Sequence, residues 1–260
     1  MKDFWEQQAK EHKSNIQAVN FDMMLEDLEF YFLHKIVFDG LVVCDVGCGN
    51  GRTLLSLAQK SPSAQFFGFD FSSEMISVAQ SEQARLGVQN VIFSVADACE
   101  TNLLDQDAER FDVVLTKRLL INLKGNDKLK AVRKIHHALK GNGLYLMLEC
   151  FVEPLERINQ VRRSLALEEI CVKSFNEYLT AEHFNYIKSL FSIETKNDFV
   201  SLYYFISRIF NAYLSPTNMV YDAPINQLAV QLTKAGVCPI EGYAPEVMFR
   251  LRKRAYVQNS

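Results

Sequence analysis

The chain has 260 residues and a formal net charge of -3, from 28 lysines and arginines against 31 aspartates and glutamates. This length suits one large domain, or one domain with a substantial insertion. The near-neutral charge gives no electrostatic support for nucleic acid as the main partner. No apolar run approaches the length of a membrane span, and the polar first ten residues do not resemble a secretory signal.

The six cysteines are scattered along the chain, at positions 44, 48, 99, 150, 171 and 238, and form no C-x-x-C pair. None of the five histidines has a partner at metal-ligand spacing either, so the pattern argues against a metal site. Most of the cysteines lie beside apolar residues. This environment favours reduced, buried thiols in a cytoplasmic protein.

The N-terminal stretch 1–14 is polar but contains Phe4 and Trp5, which is the only tryptophan. These aromatic residues either dock on the domain in a first helical turn or belong to a lid over a ligand site. Apolar residues then recur at helical spacing from Phe21 to Phe38, and Asp39-Gly40 ends this predicted helix. We assign residues 1–40 to an N-terminal helical segment or lid.

Short apolar segments alternate with helical patterns through residues 41–150. The predicted strands are 41–44, 65–69, 91–95, 111–115 and 144–148, and predicted helices begin near 53, at 72 and at 126. This alternation favours an α/β fold with a parallel sheet covered on both faces. Ligands of such sheets bind at the carboxyl ends of the strands. Five polar residues fall at these ends: Asp45, Asp70, Asp97, Thr116 and Glu149.

A glycine loop, Asp45-Val46-Gly47-Cys48-Gly49-Asn50-Gly51, joins the first predicted strand to the first helix of this region. Glycines at such a turn let a ligand lie against bare backbone. The third glycine falls one place too early for the dinucleotide fingerprint, which argues against a dinucleotide-dependent oxidoreductase. The Lys-Ser/Thr pair of a phosphate-binding loop is absent from this stretch as well.

This D-x-G-x-G-x-G arrangement resembles motif I of the class I S-adenosylmethionine (SAM)-dependent methyltransferases. Four further segments resemble later motifs of that family in the same order: 68–76, 96–98, 111–115 and 139–143. Asn142, where the family often has proline or glycine, is a minor departure. The resemblance covers residues 40–150 and implies a Rossmann-like, doubly wound, seven-stranded and mostly parallel sheet.

The resemblance also implies which residues hold the cofactor. Asp70 would accept hydrogen bonds from both ribose hydroxyls, and Asp97 from the adenine amino group, for which carboxylates are well suited. Asp45 would hold the loop or bind the ligand ammonium through water. The full implied set is Asp45, Gly47, Cys48, Gly49, Gly51, Asp70, Phe71, Met75, Asp97, Ala98 and Thr116.

The second half of the chain differs in pattern from the first. We interpret 151–190 and 199–240 as helical insertions that form a cap over the strand ends, with the last two strands of the sheet at 192–196 and 247–251. In the last strand Arg250, Arg252 and Arg254 alternate, which favours a solvated face of an edge strand.

Residues near the strand ends and in the cap are candidates for contact with a methyl acceptor. By position, Glu149 and Tyr204 are the catalytic candidates. Arg118, Tyr203 and Arg208 are the candidates for acceptor binding. The alternatives are core packing for the tyrosines and a salt bridge, for example to Glu149, for Arg118.

We therefore expect a cytoplasmic methyltransferase that acts on a polar small molecule, such as a sugar or glycan precursor, by in-line O- or N-methyl transfer from SAM to give S-adenosylhomocysteine (SAH). The cap and the motif around Arg118 resemble bacterial methyltransferases of surface-glycan or other small-molecule biosynthesis. The alternative is a non-catalytic SAM-binding subunit or sensor. No nucleic acid partner is expected, and the protein is either a monomer or a homodimer.

Overall fold

A computed structural model of the chain describes residues 2–12, 22–99, 108–215, 220–237 and 240–254. The predicted roles of Phe21 and Cys238, and the side chain of Phe4, lie outside the described part. Within that part, none of the helices combines the length and apolar character needed to cross a bilayer.

Seven strands form one sheet: β1 (Val42–Val46), β2 (Gln65–Asp70), β3 (Val91–Val95), β4 (Phe111–Lys117), β5 (Leu139–Cys150), β6 (Phe191–Asn197) and β7 (Glu246–Lys253). Their order is β3-β2-β1-β4-β5-β7-β6. The first five strands are parallel, and β7 runs antiparallel to both β5 and β6. This arrangement confirms the predicted doubly wound, mostly parallel sheet.

Helices cover the sheet: α1 (Lys2–His12), α2 (Met23–Leu33), α3 (Arg52–Lys60), α4 (Ser73–Leu86), α5 (Asn126–Ala138), α6 (Val152–Ser164), α7 (Ala181–Leu190), α8 (Ser201–Phe205), α9 (Ala212–Leu214) and α10 (Pro224–Ala235). A π-helical segment, Ile206–Asn211, joins α8 to α9, and a 3₁₀ turn, Leu120–Asn122, follows β4. Large apolar clusters lie on both faces of the sheet, so the central strands are covered on both sides.

Side-chain caps explain where several helices begin. The hydroxyl of Ser72 accepts a hydrogen bond from the Met75 amide at 3.2 Å and thereby caps the start of α4. Only Phe71 separates this cap from the end of β2. Thr180 and His183 form a reciprocal capping box at the start of α7. The Ser72 cap fixes the length of the loop between β2 and α4, and so the position of Phe71 next to Asp70.

Two expectations about individual residues need correction. Helical spacing predicts that the Leu129 side chain of α5 faces the core. In the structure Leu129 is only half-buried, and its neighbour Lys128 is fully buried. The Lys128 ammonium compensates for this burial by donating to the Leu123 carbonyl and, at 3.0 Å, to Glu177.

The strand that carries Arg250 and Arg252 is not an edge strand, because β7 pairs with β5 on one side and β6 on the other. The sheet edges are β3 and β6. Arg252 instead pairs across strands with Glu194 of β6, at 2.6 Å. The predicted alternation of Arg250 and Arg252 along a strand is correct, but the prediction that this strand lies at an edge of the sheet is wrong.

Asp22, the N-cap of α2, connects the N-terminal segment to the cap. Its side chain accepts hydrogen bonds from the Leu25 amide at 3.0 Å and the Tyr203 hydroxyl at 2.7 Å. It also pairs with Arg208 at 2.6 Å, and both charged residues are at least nine-tenths buried. One buried carboxylate at the start of α2 therefore joins this helix to two side chains of the cap.

We expect Asp22→Ala to lower the free energy of unfolding by about 3 kcal/mol, because it leaves the buried Arg208 guanidinium without its counter-charge. Asp127→Ala breaks a half-exposed pair with Lys130 and is the matched control, expected to cost less than about 0.5 kcal/mol. Urea unfolding followed by circular dichroism measures both. Equal losses in the two variants would contradict the role given to Asp22.

Candidate functional site

The glycine loop between β1 and α3 leaves no room for side chains at two positions. Gly47 has a φ of +80°, and a Cβ atom there would lie 2.9 Å from Cδ1 of Leu119. Gly51 has a φ of +76°, and a Cβ atom there would lie 2.8 Å from both Ala79 and Phe93. Glycine is therefore required by backbone conformation and by packing alike.

The carboxylate of Asp70, at the end of β2, holds this loop. Its Oδ2 accepts a hydrogen bond from the Gly49 amide, and its Oδ1 accepts one from the Ser72 amide, each at 2.9 Å. Burial raises the pKa of Asp70, while the two amides act to lower it. The side chain that was predicted for ligand binding thus also sets the loop geometry.

Two cavities adjoin at Asp70, and they share three lining residues: Gly47, Asp70 and Phe71. The first, of about 620 Å³, is also lined by Cys48, Gly49, Met75 and Arg118. The second, of about 570 Å³, is also lined by Asp97 and Ala98. Nine of the predicted site residues therefore lie around one continuous cleft at the carboxyl ends of the strands.

The first cavity also contains residues that the sequence did not indicate: Glu26, Arg52 and Lys117. Trp5, for which a lid was one of two interpretations, lines the same cavity. Glu26 is 3% exposed; its Oε2 pairs with Arg52 at 3.3 Å, and its Oε1 has no hydrogen-bond partner within the described residues. The sequence alone does not distinguish a buried acid on a helix, such as Glu26, from an acid on the solvent-exposed face of that helix.

Asp45 and Thr116 lie behind the cleft rather than on its surface. Asp45 is 2% exposed, and its Oδ1 has no hydrogen-bond partner in the described part of the chain. Burial raises the pKa of Asp45 to about 7; Lys117 opposes this shift and Asp70 adds to it. Thr116 is fully buried, with its hydroxyl 2.9 Å from the Tyr145 hydroxyl.

Arg118 lines the cleft, but its guanidinium is held by protein carboxylates. It pairs with Glu29 of α2 and, at 3.2 Å, with Glu246 of β7. The salt bridge foreseen as the alternative is therefore present, with partners other than Glu149. Lys117 also pairs with Glu29, at 3.0 Å. Arg118 has a φ of +55°, a strained conformation for a residue other than glycine.

The pKa values of the two acids that pair with Arg118, Glu29 and Glu246, are shifted in opposite directions. Burial acts to raise the pKa of Glu29, but Arg118 and Lys117 outweigh it and hold that pKa below its usual value. Burial and the nearby Glu29 raise the pKa of Glu246 to about 8, against the effect of Arg118. One acid therefore supplies most of the negative charge that the two cations face near neutral pH.

Glu149 does not border either cavity, and this position corrects its expected role. It is fully buried, and its Oε1 accepts hydrogen bonds from the Leu119 and Leu120 amides, both at 3.0 Å. Burial raises its pKa to about 7 despite hydrogen bonds that act to lower it. The carboxylate stabilises the turn after β4, so the geometry does not favour it as a general base.

The three cap residues predicted to meet the acceptor also lie away from both cavities. Tyr203 is fully buried and bonds to Asp22, as described above. The Arg208 guanidinium carbon lies 4.7 Å from the centroid of the Tyr204 ring. These contacts favour the packing interpretation of Tyr203, Tyr204 and Arg208 over direct contact with an acceptor.

We expect Gly51→Ala to lower the free energy of unfolding by about 3 kcal/mol, from backbone strain and overlap with Phe93. Gly87→Ala is the matched control, because Gly87 has a φ of +67° but nothing within 4 Å of an added Cβ. It should cost only about 1–2 kcal/mol. Equilibrium urea unfolding compares the two, and equal costs would rule out the packing constraint at Gly51.

Comparison with known proteins identifies the family. A family model described as "Methyltransferase domain" matches residues 38–204. Carboxy-S-adenosyl-L-methionine synthase of Campylobacter jejuni is 27% identical over 148 residues, which are 54% of this chain and 60% of that protein. The enzyme of the same name from Nautilia profundicola is 22% identical over 160 residues, 58% of this chain and 66% of that protein. The match thus spans less than two thirds of these relatives.

Solved structures show the same fold. Geranyl diphosphate C-methyltransferase from Streptomyces coelicolor, solved with S-adenosyl-L-homocysteine, superposes with a TM-score of 0.56 at 12% identity, over 88% of this chain and 79% of that chain. The [4+2]-cyclase SpnF superposes with a TM-score of 0.56 at 20% identity, over 89% and 81% of the two chains. Because the family model covers more than half of the sequence and the sheet has the expected strand order, the chain belongs to the class I S-adenosylmethionine-dependent methyltransferases, as an enzyme that uses this cofactor.

Proposed function

We propose that the enzyme transfers a methyl group from SAM to oxygen or nitrogen of a polar small molecule. One observation carries the proposal: two cavities meet at Asp70, with the glycine loop on one side and Asp97 and Ala98 on the other. A ligand made of an amino-acid part, a ribose and an adenine needs this division.

The second cavity would hold the nucleoside part. Each Asp70 oxygen accepts only one backbone hydrogen bond, so lone pairs remain for the two ribose hydroxyls. Asp97 is exposed to the cavity and would accept from the adenine amino group, while Phe71 and Ala98 supply apolar contact to the ring. Met75, which was predicted to share this role, lines the first cavity instead.

The first cavity would hold the methionine part against the backbone of Gly47, Cys48 and Gly49, with Gly51 shaping the turn. Asp45 and the Thr116 carbonyl lie at the strand ends behind it, and Asp45 would reach the ligand ammonium through water. Glu26 lines the same cavity with a second buried carboxylate, whose Oε1 has no hydrogen-bond partner within the described residues. These acids suit a ligand that carries an ammonium and a sulfonium.

SAM supplies an activated methyl group when bound. The chain's own residues then need to align the acceptor and keep water out, because in-line displacement gains most from orientation. Trp5 of α1 and Glu26 of α2 line the first cavity, which supports the proposal of an N-terminal lid at 1–40 over a core at 41–150. No described residue of the insertions within 151–260 lines either cavity, so the proposal of a small-molecule acceptor, such as a sugar or glycan precursor, rests on the sequence resemblance. A neutral amine acceptor needs no protein base, and no described residue is assigned that role.

A second candidate function is the one for which the curated relatives are named, the synthesis of carboxy-S-adenosyl-L-methionine. The presence of Lys117 and Arg118 in the first cavity favours it, because two cations suit an added carboxylate. Their pairing with Glu29 weighs against it. Mass spectrometry of the nucleoside released from the purified enzyme separates the two candidates.

We expect Asp70→Ala to weaken SAH binding by at least about thirtyfold, because it removes charge-assisted hydrogen bonds worth about 1.5–3 kcal/mol each. Asp39→Ala, at an exposed carboxylate, should leave the affinity unchanged. Isothermal titration calorimetry measures both, with circular dichroism to confirm that each variant is folded. Unchanged affinity in folded Asp70→Ala would remove Asp70 from the ribose site.

We expect SAH affinity to fall as the pH drops below about 7, the raised pKa of Asp45. The protonated carboxyl is neutral and cannot pair with the ligand ammonium, so affinity should fall by up to about tenfold per pH unit. Asp45→Asn should abolish this dependence. Titrations in buffers of different ionisation enthalpy report the proton released on binding, and a pH slope that persists in Asp45→Asn would exclude Asp45 as its source.

A further inference from the structure

The indole of Trp5 bridges two parts of the chain at the first cavity. Its helix, α1, packs against α4, whose Met75 lines the cavity, and Trp5 itself is half-buried and lines the cavity too. The indole also meets the ring of Phe175, in the segment between α6 and α7, with the two centroids 6.4 Å apart and the ring planes at 81°. Trp5 thus joins α4 to the insertion that follows β5.

The segment that carries Phe175 is fixed to the turn after β4. The Glu177 amide donates to the Ile121 carbonyl at 2.8 Å, and Asn176 Nδ2 donates to Asn122 Oδ1 at 3.1 Å. β4 and β2, the strand before α4, lie on opposite sides of β1, and the glycine loop follows β1. The indole therefore lies across the ligand-binding edge at the glycine loop, from the β2 side to the β4 side.

The position of the indole matches the centre of the proposed ligand. With the ribose at Asp70 and the methionine part along residues 47–49, the sulfur that joins them would lie in the first cavity beside the junction with the second. Among the described residues, Trp5 and Phe71 are the aromatic side chains that line the first cavity. Phe71 also lines the second cavity, where it would contact the adenine, so Trp5 is the aromatic group left for the sulfur.

The sulfur of SAM is a sulfonium, which is a cation without an N–H or O–H donor. The carboxylates of the cavity therefore cannot bind it through a conventional hydrogen bond. Among the described residues, three cations line this cavity against two acids, and the cations are Arg52, Lys117 and Arg118. An indole face attracts a cation of this type through the quadrupole of the ring, as in the recognition of quaternary ammonium groups. Trp5 is thus the side chain of this cavity that suits a sulfonium best.

We propose that Trp5 distinguishes SAM from SAH, because its indole face binds the sulfonium, and that Phe175 is a positioning residue that holds the indole in place. The inference rests on the proposed function and adds a basis for cofactor selectivity to it. SAH has lost both the methyl group and the positive charge. Apolar contact with the indole acts on both ligands, whereas the cation–π attraction acts on SAM alone. Methyl transfer therefore weakens the hold of Trp5 on the product.

The test is calorimetric titration of SAM and of SAH, separately, into the full-length enzyme and its variants. Trp5→Leu should weaken SAM binding by about tenfold and SAH binding by no more than about threefold, because only SAM carries the charge that the indole attracts. Trp5→Phe retains an aromatic face and should weaken SAM binding less than Trp5→Leu does. Phe210→Leu, at an exposed ring that lines neither cavity, is the matched control and should leave both affinities unchanged. Equal losses of SAM and SAH affinity in Trp5→Leu would indicate apolar contact alone and overturn the proposal.

Phe175→Leu tests the positioning role. It removes the aromatic edge while keeping apolar bulk, and should lower the ratio of SAM affinity to SAH affinity by about threefold. An unchanged ratio in this variant would refute the role given to Phe175.

The fluorescence of the unmodified enzyme gives a test that needs no substitution. Trp5 is the only tryptophan of the chain, so the tryptophan emission reports on this position directly. Saturating SAM or SAH should protect Trp5 from quenching by acrylamide. Unchanged quenching in an enzyme that binds both ligands would place Trp5 away from the cofactor and overturn the proposal. Failure of the unmodified enzyme to bind either ligand would instead refute the proposed function.

Discussion

The two hydrogen bonds accepted by the Asp70 carboxylate organise the site. One amide comes from the glycine loop after β1, and the other from the residue that caps α4. A single side chain at the end of β2 thus fixes two loops that belong to neighbouring strands. Replacing it changes the shape of both cavities as well as the group offered to the ribose. Binding and loop geometry are therefore inseparable at this residue.

The fold could be predicted in detail because its determinants are local and periodic. Alternating strands and amphipathic helices define the parallel sheet, and the glycine spacing locates its ligand-binding end. Nine of the predicted site residues border the cleft for the same reason: each lies at the carboxyl end of a strand or within five residues of it, and the sheet brings these ends together. The position of β7 inside the sheet was not predictable, since no local signal states which neighbours a strand will have.

The residues whose roles were predicted wrongly are those that bond to distant segments of the chain. Glu149 follows a strand as expected, but it bonds to the turn after β4 instead of facing the cleft. Arg118 faces the cleft, but its charge is met by Glu29, far earlier in the chain, and by Glu246, far later. Secondary-structure propensity and the spacing of residues along the sequence do not indicate which distant side chains will pair. These pairings are also the contacts through which α2 and β7 reach the site.

Glu29 lies on a helix that belongs to the core and to the cleft at the same time. A chain shortened to begin at Val42 would retain every strand. It would lose Glu29, the acid with which Lys117 and Arg118 both pair, and Arg118 would keep only its contact with Glu246. It would also lose Leu28 and Leu33, which are fully buried in the apolar cluster on one face of the sheet. Truncation before β1 would therefore damage the packing of the sheet and the charge balance of its ligand-binding edge together.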